Sequence, residues 1–207
     1  MQVLKSEVRD AILRSAEKLF LENGFEKVSM RTIALKAGMT VGNVYRYFNN
    51  KDDIFSALVN PLLSVLIEGL THEPEPLNPN DASRLFEEYY DRFELFATIV
   101  VAQRRGLILL FNKSRGTSYE NEYSRFVGMM ADHLRDHLKE MECDPSLSKY
   151  NGFCDVLSHM FMQGVLKVLL NEPDKKAVGI IMQLLRMMVD SVPGYISFCG
   201  GNDATHN

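Results

Sequence analysis

The chain has 207 residues, 46% of them apolar and 24% charged, with 13 glycines and 7 prolines. That balance excludes collagen-like repeats and a disordered polyelectrolyte, and the length allows one large domain or two small ones. The formal net charge of −4 argues, taken as an average, against a polyanionic partner.

Taken in chain order, the pattern is helical throughout, and the expected fold class is all-α. Val8, Ile12, Ala16, Leu19 and Phe20 form one face of a first helix, which Asn23-Gly24 ends. Ser29 can cap a short second helix whose inner side is Ile33, Ala34 and Ala37. After the turn Gly38-Met39-Thr40, Thr40 can cap a third helix with Val41, Val44 and Phe48 facing inward. Asn50 with Asp53 resembles a capping box opening a fourth helix, inside which Pro61 either bends the helix or ends it at Asn60. The proline-rich stretch Thr71 to Asn80 reads as a linker. Further helices are expected near 81–105, 107–111, 117–141, 147–170 and 173–192, with Thr117 and Glu120 as a capping box and 193–207 as a flexible tail.

The charge is unevenly spread. Between Lys27 and Lys51 stand five basic residues (Lys27, Arg31, Lys36, Arg46, Lys51) and no acidic one, whereas residues 59–207 carry 14 basic and 20 acidic side chains. A positive stretch of this kind is either a solvated face or a surface for a polyanion. Its position on two short helices joined by a glycine-containing turn favours a helix-turn-helix, whose second helix enters the DNA major groove. Thr40, Gly42, Asn43, Arg46 and Tyr47 fall on or near the outer face of that second helix. Asparagine can pair bidentately with adenine and arginine with guanine or phosphate, while Tyr45, Tyr47 and Lys51 suit phosphates.

Residues 8–58 resemble the DNA-binding domain of the tetracycline-repressor (TetR) family of bacterial regulators. The resemblance rests on Leu19-Phe20 with Asn23 to Phe25, Ile33-Ala34 with Ala37-Gly38, and Val44 to Phe48 with Lys51. It implies DNA contacts at Arg31, Thr40, Val41, Gly42, Asn43, Tyr45, Arg46, Tyr47 and Lys51. Val41 departs from the polar residue often found at its place. The family pattern also implies an N-terminal helix-turn-helix domain (1–50) and a helical ligand-binding and dimerisation domain (51–207). In that division 51–70 is the connecting helix.

The last two long helices are apolar around most of their circumference, so each must be covered on two sides. A two-fold homodimer through Val156, Met160, Val165, Leu169, Val178, Ile181, Met182, Leu185, Met188 and Val189 satisfies this, and a deep monomeric core is the alternative. Gly164 and Gly179 would allow close helix approach. Aromatics and methionines at Phe86, Tyr89, Tyr90, Phe93, Phe96, Met129, Met130, Phe153, Met160 and Phe161 are candidates for an apolar effector pocket or for ordinary core.

No catalytic, metal or cofactor site is expected. His133 and His137 lack a third ligand, Ser158, His159 and Asp155 share one helical stretch and cannot form a relay, and Gln103, Arg104 and Arg105 read as a helix end or an anion contact. Cys143, Cys154 and Cys199 show no CxxC spacing. The longest charge-free run, Ile54 to Ile67, is short for a bilayer, and the N-terminal residues carry Lys5, Glu7, Arg9 and Asp10, so a cytoplasmic protein without membrane contact is expected. The function expected is a transcriptional repressor on a palindromic operator, released by a small apolar effector. The alternative is a constitutive or partner-controlled DNA-binding regulator.

Overall fold

The computed structural model describes residues 2–71, 82–140 and 151–201, with side chains described over 5–68, 90–136 and 152–188. Among the described residues there are nine α-helices and no strand. They are α1 (Gln2–Asn23), α2 (Met30–Lys36), α3 (Val41–Tyr45), α4 (Lys51–Thr71), α5 (Ala82–Ala102), α6 (Arg104–Asn112), α7 (Glu122–Glu140), α8 (Asn151–Asn171) and α9 (Asp174–Gly201). The linker expected at 71–80 lies almost wholly outside the described residues.

The chain forms two compact units. The first combines Met1–Gly69 with Gln103–Tyr123, and the second combines Leu70–Ala102 with Ser124–Asn207. Packing therefore does not divide the chain at residue 50. In the first unit, Ile12, Ala16 and Phe20 of α1 meet Ile33 and Ala34 of α2, Val44 of α3, and Ile54, Phe55 and Val59 of α4. Leu109 and Leu110 of α6 complete the same core. Phe20, Phe25 and Phe55 pack with ring centroids 5.5–5.6 Å apart, an arrangement worth about 0.5–1.5 kcal/mol per pair beyond area burial.

Several boundaries differ from the sequence reading. α4 runs through Pro61 without ending at Asn60. One missing hydrogen bond does not terminate a helix whose neighbours remain bonded. α5 stops at Ala102 and α6 starts at Arg104, so the break falls at Gln103 rather than Gly106. Gly106 is instead a contact point, since a Cβ there would lie 2.8 Å from Leu62 Cδ2 of α4. α7 begins at Glu122, because Thr117 and Glu120 serve a turn. Thr117 Oγ1 accepts from Tyr119 N at 2.9 Å, and Glu120 Oε2 accepts from Gly116 N at 3.0 Å. α9 continues to Gly201 through Pro193, so the flexible tail expected at 193–207 is helical up to that point. Residues 202–207 lie outside the described residues.

In the second unit α9 packs on α5 and α8. Ala131 of α7 meets Cys154 of α8 beside Leu134 and Phe153, and Arg135 Nη2 reaches Asp155 Oδ1 at 2.8 Å. Gly164 admits Leu184 of α9, whose Cδ1 would lie 3.2 Å from an added Cβ, whereas the same position at Gly179 is open. By length and composition Gly152–Asn171 could cross a membrane. Its apolar character is accounted for by core residues such as Phe161, Val165 and Leu169, all at most 8% exposed.

Candidate nucleic-acid interface

Local hydrogen bonding builds the two-helix motif as its sequence dictates. Ser29 Oγ accepts from Thr32 N at 3.1 Å, while Thr32 Oγ1 accepts from Ser29 N at 3.0 Å. This is a capping box with threonine where glutamate is usual. Gly38, at φ +69°, turns the chain after α2 in a conformation that glycine adopts without strain. Thr40 Oγ1 then accepts from Asn43 N at 3.3 Å and caps α3. Asn50 Oδ1 caps α4 through Asp53 N at 2.8 Å, but the Asp53 carboxylate reaches back to Asn49 N rather than Asn50.

The core pins one side of α3. Val44 is wholly buried and Phe48 nearly so. Thr40, Gly42, Tyr45 and Arg46 are exposed, as is Arg31 on α2, and nothing lies within 4 Å of a Cβ placed on Gly42. Arg31, Lys36 and Arg46 have no carboxylate partner among the described residues, so their charges face solvent. Asn43 is partly buried, with Nδ2 3.9 Å from Met39 Sδ. The structure thus brings Arg31, Thr40, Gly42, Tyr45 and Arg46 to one accessible surface, with Asn43 at its edge. Val41 and Tyr47 are instead partly buried and pack against the core.

Lys51 also differs from its expected place. Its Nζ donates to the carbonyls of Phe25 at 2.7 Å and Val28 at 2.8 Å and sits 3.9 Å from the Phe25 ring centroid. Burial holds its pKa below the ordinary 10.5, with Glu26 and Asp52 pulling the other way. Two of its three protons are directed inward, so it braces the α1–α2 turn that precedes the Ser29 cap.

The segment 113–119, within which the sequence pattern starts a helix at Thr117, also braces this unit. Lys113 O accepts from Phe25 N at 3.3 Å, and Arg115 pairs with Glu26 at 3.5 Å. Ser118 donates from its hydroxyl and its amide to the Asp52 carboxylate at 2.8 and 3.2 Å, and the Tyr119 hydroxyl donates to Asn60 Oδ1 at 2.6 Å. Gly116 at φ +79° is the signal that marked this stretch as turn rather than helix. Arg105, one of the candidate anion contacts, pairs with Glu17 of α1 at 3.2 Å.

The other candidate residues separate into two groups. Of the apolar-pocket set, Phe161 is buried, Phe93, Met129, Met130 and Phe153 are partly buried, and Tyr90, Phe96 and Met160 are 43–59% exposed. The side chains of Phe86 and Tyr89 lie outside the described residues. Of the interface set, Val165, Leu169, Ile181 and Leu185 are at most 8% exposed within a single chain, so they belong to its own core. Val156 and Met160 are each 59% exposed, Val178, Met182 and Met188 are partly buried, and Val189 lies outside the described side chains. Leu170 and Met187, absent from the expected interface, are also exposed. No group of three metal-ligating side chains occurs among the described residues. Asp155 and His159 are exposed while Ser158 is buried, so these three do not converge.

Residues 12–58 match the family model described as bacterial regulatory proteins, tetR family. The chain is 31% identical over 143 residues to the HTH-type transcriptional repressor BepR of Brucella suis biovar 1 (strain 1330), covering 67% of this chain and 61% of that protein. It is 37% identical over 81 residues to the HTH-type transcriptional regulator HbdR of Aromatoleum sp. (strain CIB), covering 36% and 35%. The chain thus spans about three fifths of the first relative and about one third of the second. Among solved structures it resembles NalD, the secondary repressor of the MexAB-OprM multidrug efflux pump in Pseudomonas aeruginosa. There the TM-score is 0.53 at 25% identity, covering 88% of this chain and 95% of that one. Salmonella enterica GusR shares the fold at TM-score 0.57 and 18% identity, covering 90% and 96%. With a capped helix-turn-helix on its surface and transcriptional regulators rather than enzymes as its relatives, the chain belongs to the TetR family of bacterial transcriptional regulators.

Proposed function

We propose that the protein is a cytoplasmic, ligand-responsive repressor that holds a roughly palindromic operator as a homodimer and leaves it when a small apolar effector binds. Residues 1–50 supply the reading head, 51–70 the connecting helix and 51–207 as a whole the effector and dimerisation functions. The observation that carries this reading is the outward set Arg31, Thr40, Gly42, Tyr45 and Arg46 on a capped helix pair with unpaired cations. Free positive charge beside a helix end with room for base edges suits phosphate positioning and major-groove readout together.

Dimerisation is supported by the outer faces of the last two helices. Val156, Met160 and Leu170 on α8 are exposed with Met187 on α9, and Gly179 leaves open space for a neighbouring backbone. Two heads on a two-fold axis would meet half-sites about 34–36 Å apart or at a multiple of that spacing. The partly or fully buried Phe93, Met129, Met130, Phe153 and Phe161 are the soft, apolar side chains from which an effector site would be built. The repressor sign is supported by BepR and NalD, both described as repressors. Release is then a population shift no larger than the effector's differential affinity for the two states.

Selection of genomic fragments by the purified protein at fixed salt tests this reading. Recovery of a palindrome is the expected result. No enrichment over random DNA overturns it.

A further inference from the structure

Ser158 lies on the buried face of α8 and is 1% exposed, yet its hydroxyl has no hydrogen-bond partner among the described residues. A helical serine ordinarily bonds back to the carbonyl one turn earlier, and this one does not. Its neighbours along that face are Cys154, Phe161, Met162 and Val165, each at most 8% exposed. Thr117, the buried threonine of the first unit, is by contrast bonded to Ser114 O at 2.6 Å. An orphaned buried hydroxyl destabilises the free protein and calls for an explanation.

The surroundings restrict what could satisfy it. Arg135, which borders the stretch from α7, is bonded to both Asp132 and Asp155, so its charge is already neutralised. Its Nε also lacks a partner, but it belongs to that same paired guanidinium. Burial holds the Cys154 thiol in its protonated form. Among the described residues bordering Ser158 no unpaired charge is at hand as a counter-ion, and a charged ligand would lose its hydration on entering. A hydroxyl, by contrast, both donates and accepts.

We propose that Ser158 is the polar anchor of the effector site, and that the effector is a neutral, largely apolar molecule carrying one hydroxyl or carbonyl that meets the Ser158 hydroxyl. This rests on the effector-site reading above.

A matched pair of probes, 1-naphthol and naphthalene, tests the assignment by fluorescence titration of the full chain, which contains no tryptophan to interfere. The wild type should bind 1-naphthol about five- to tenfold more tightly than naphthalene, and Ser158→Ala should remove that preference while retaining naphthalene. Without ligand, Ser158→Ala should raise Tm by about 2–4 °C, because it deletes an unsatisfied group. Equal binding of both probes to the wild type, or a preference that survives in Ser158→Ala, overturns the anchor while leaving an apolar site in place. A lower Tm for Ser158→Ala overturns it too, since the hydroxyl would then be bonded already. Binding of neither probe overturns the effector-site reading and the anchor with it.

Discussion

The ammonium of Lys51 lies 3.9 Å from the centre of the Phe25 ring and donates to that residue's own carbonyl at 2.7 Å. One side chain from the start of α4 therefore holds both the ring and the backbone of the turn between α1 and α2. Through these contacts the side chain ties the reading unit together from inside, whatever it contributes outside. Lys51→Met should cost about 1–2 kcal/mol through its two charge-assisted bonds. The folded-state pKa is lowered, so between that value and 10.5 the unfolded chain holds a proton the folded chain has released, and stability rises with pH there. Urea midpoints across the alkaline range should show the wild type gaining on Lys51→Met as pH increases.

Arg46 is exposed and unpaired, whereas Asn43 is partly buried beside Met39. Arg46→Ala should weaken binding to specific and random DNA alike and reduce the salt slope by about one. Asn43→Ala should lose about 1–3 kcal/mol of discrimination between operator and random sequence while general binding persists. Binding curves at three salt concentrations separate the two effects.

Met160 and Leu169 occupy the same helix at 59% and 2% exposure. Met160→Glu should yield a folded monomer by sedimentation with an unchanged helical spectrum. Leu169→Glu should unfold the second unit, because the carboxylate would be buried without a partner. If Met160→Glu stayed dimeric, the outer face of α8 would not be the interface.

Tyr119 bonds through its hydroxyl to Asn60, the residue before Pro61, while its ring packs 5.9 Å from Phe55. Tyr119→Phe keeps the ring and removes the bond, so stability should fall by about 0.5–1.5 kcal/mol. If this bond fixes the direction of α4, the variant should also tolerate altered half-site spacing better than the wild type. Affinity for operators with one or two base pairs inserted between half-sites reads that out.

Features set by neighbouring residues were legible in the sequence. The Ser29 and Thr40 caps and the turn at Gly38 form as the pattern implies, because a side chain bonding three residues away needs only its own segment. The inward bonds of Lys51 are not legible in the sequence because its partners lie 23 and 26 residues back. Gly106 looked like a breaker and is a contact with Leu62, a distinction that only the packed fold provides. The apolar circumference of α8 and α9 was plain, but its division between inward Leu169 and Ile181 and outward Met160 and Met187 depends on where α9 crosses. Ser158 stood out in sequence for a relay it cannot make, and only its burial reveals the unbonded hydroxyl.

The reading unit draws on chain from both sides of α5, since its core includes Leu109 and Leu110 and its brace extends through Tyr119. During synthesis the N-terminal helices emerge first, but they cannot complete that core until α6 has left the ribosome. A product truncated before α6 lacks the inner surface on which α1 and α4 pack. On the proposed reading, a chain truncated before α6 would offer DNA a head whose core is incomplete, so operator binding would depend on chain made after the first helix of the second unit.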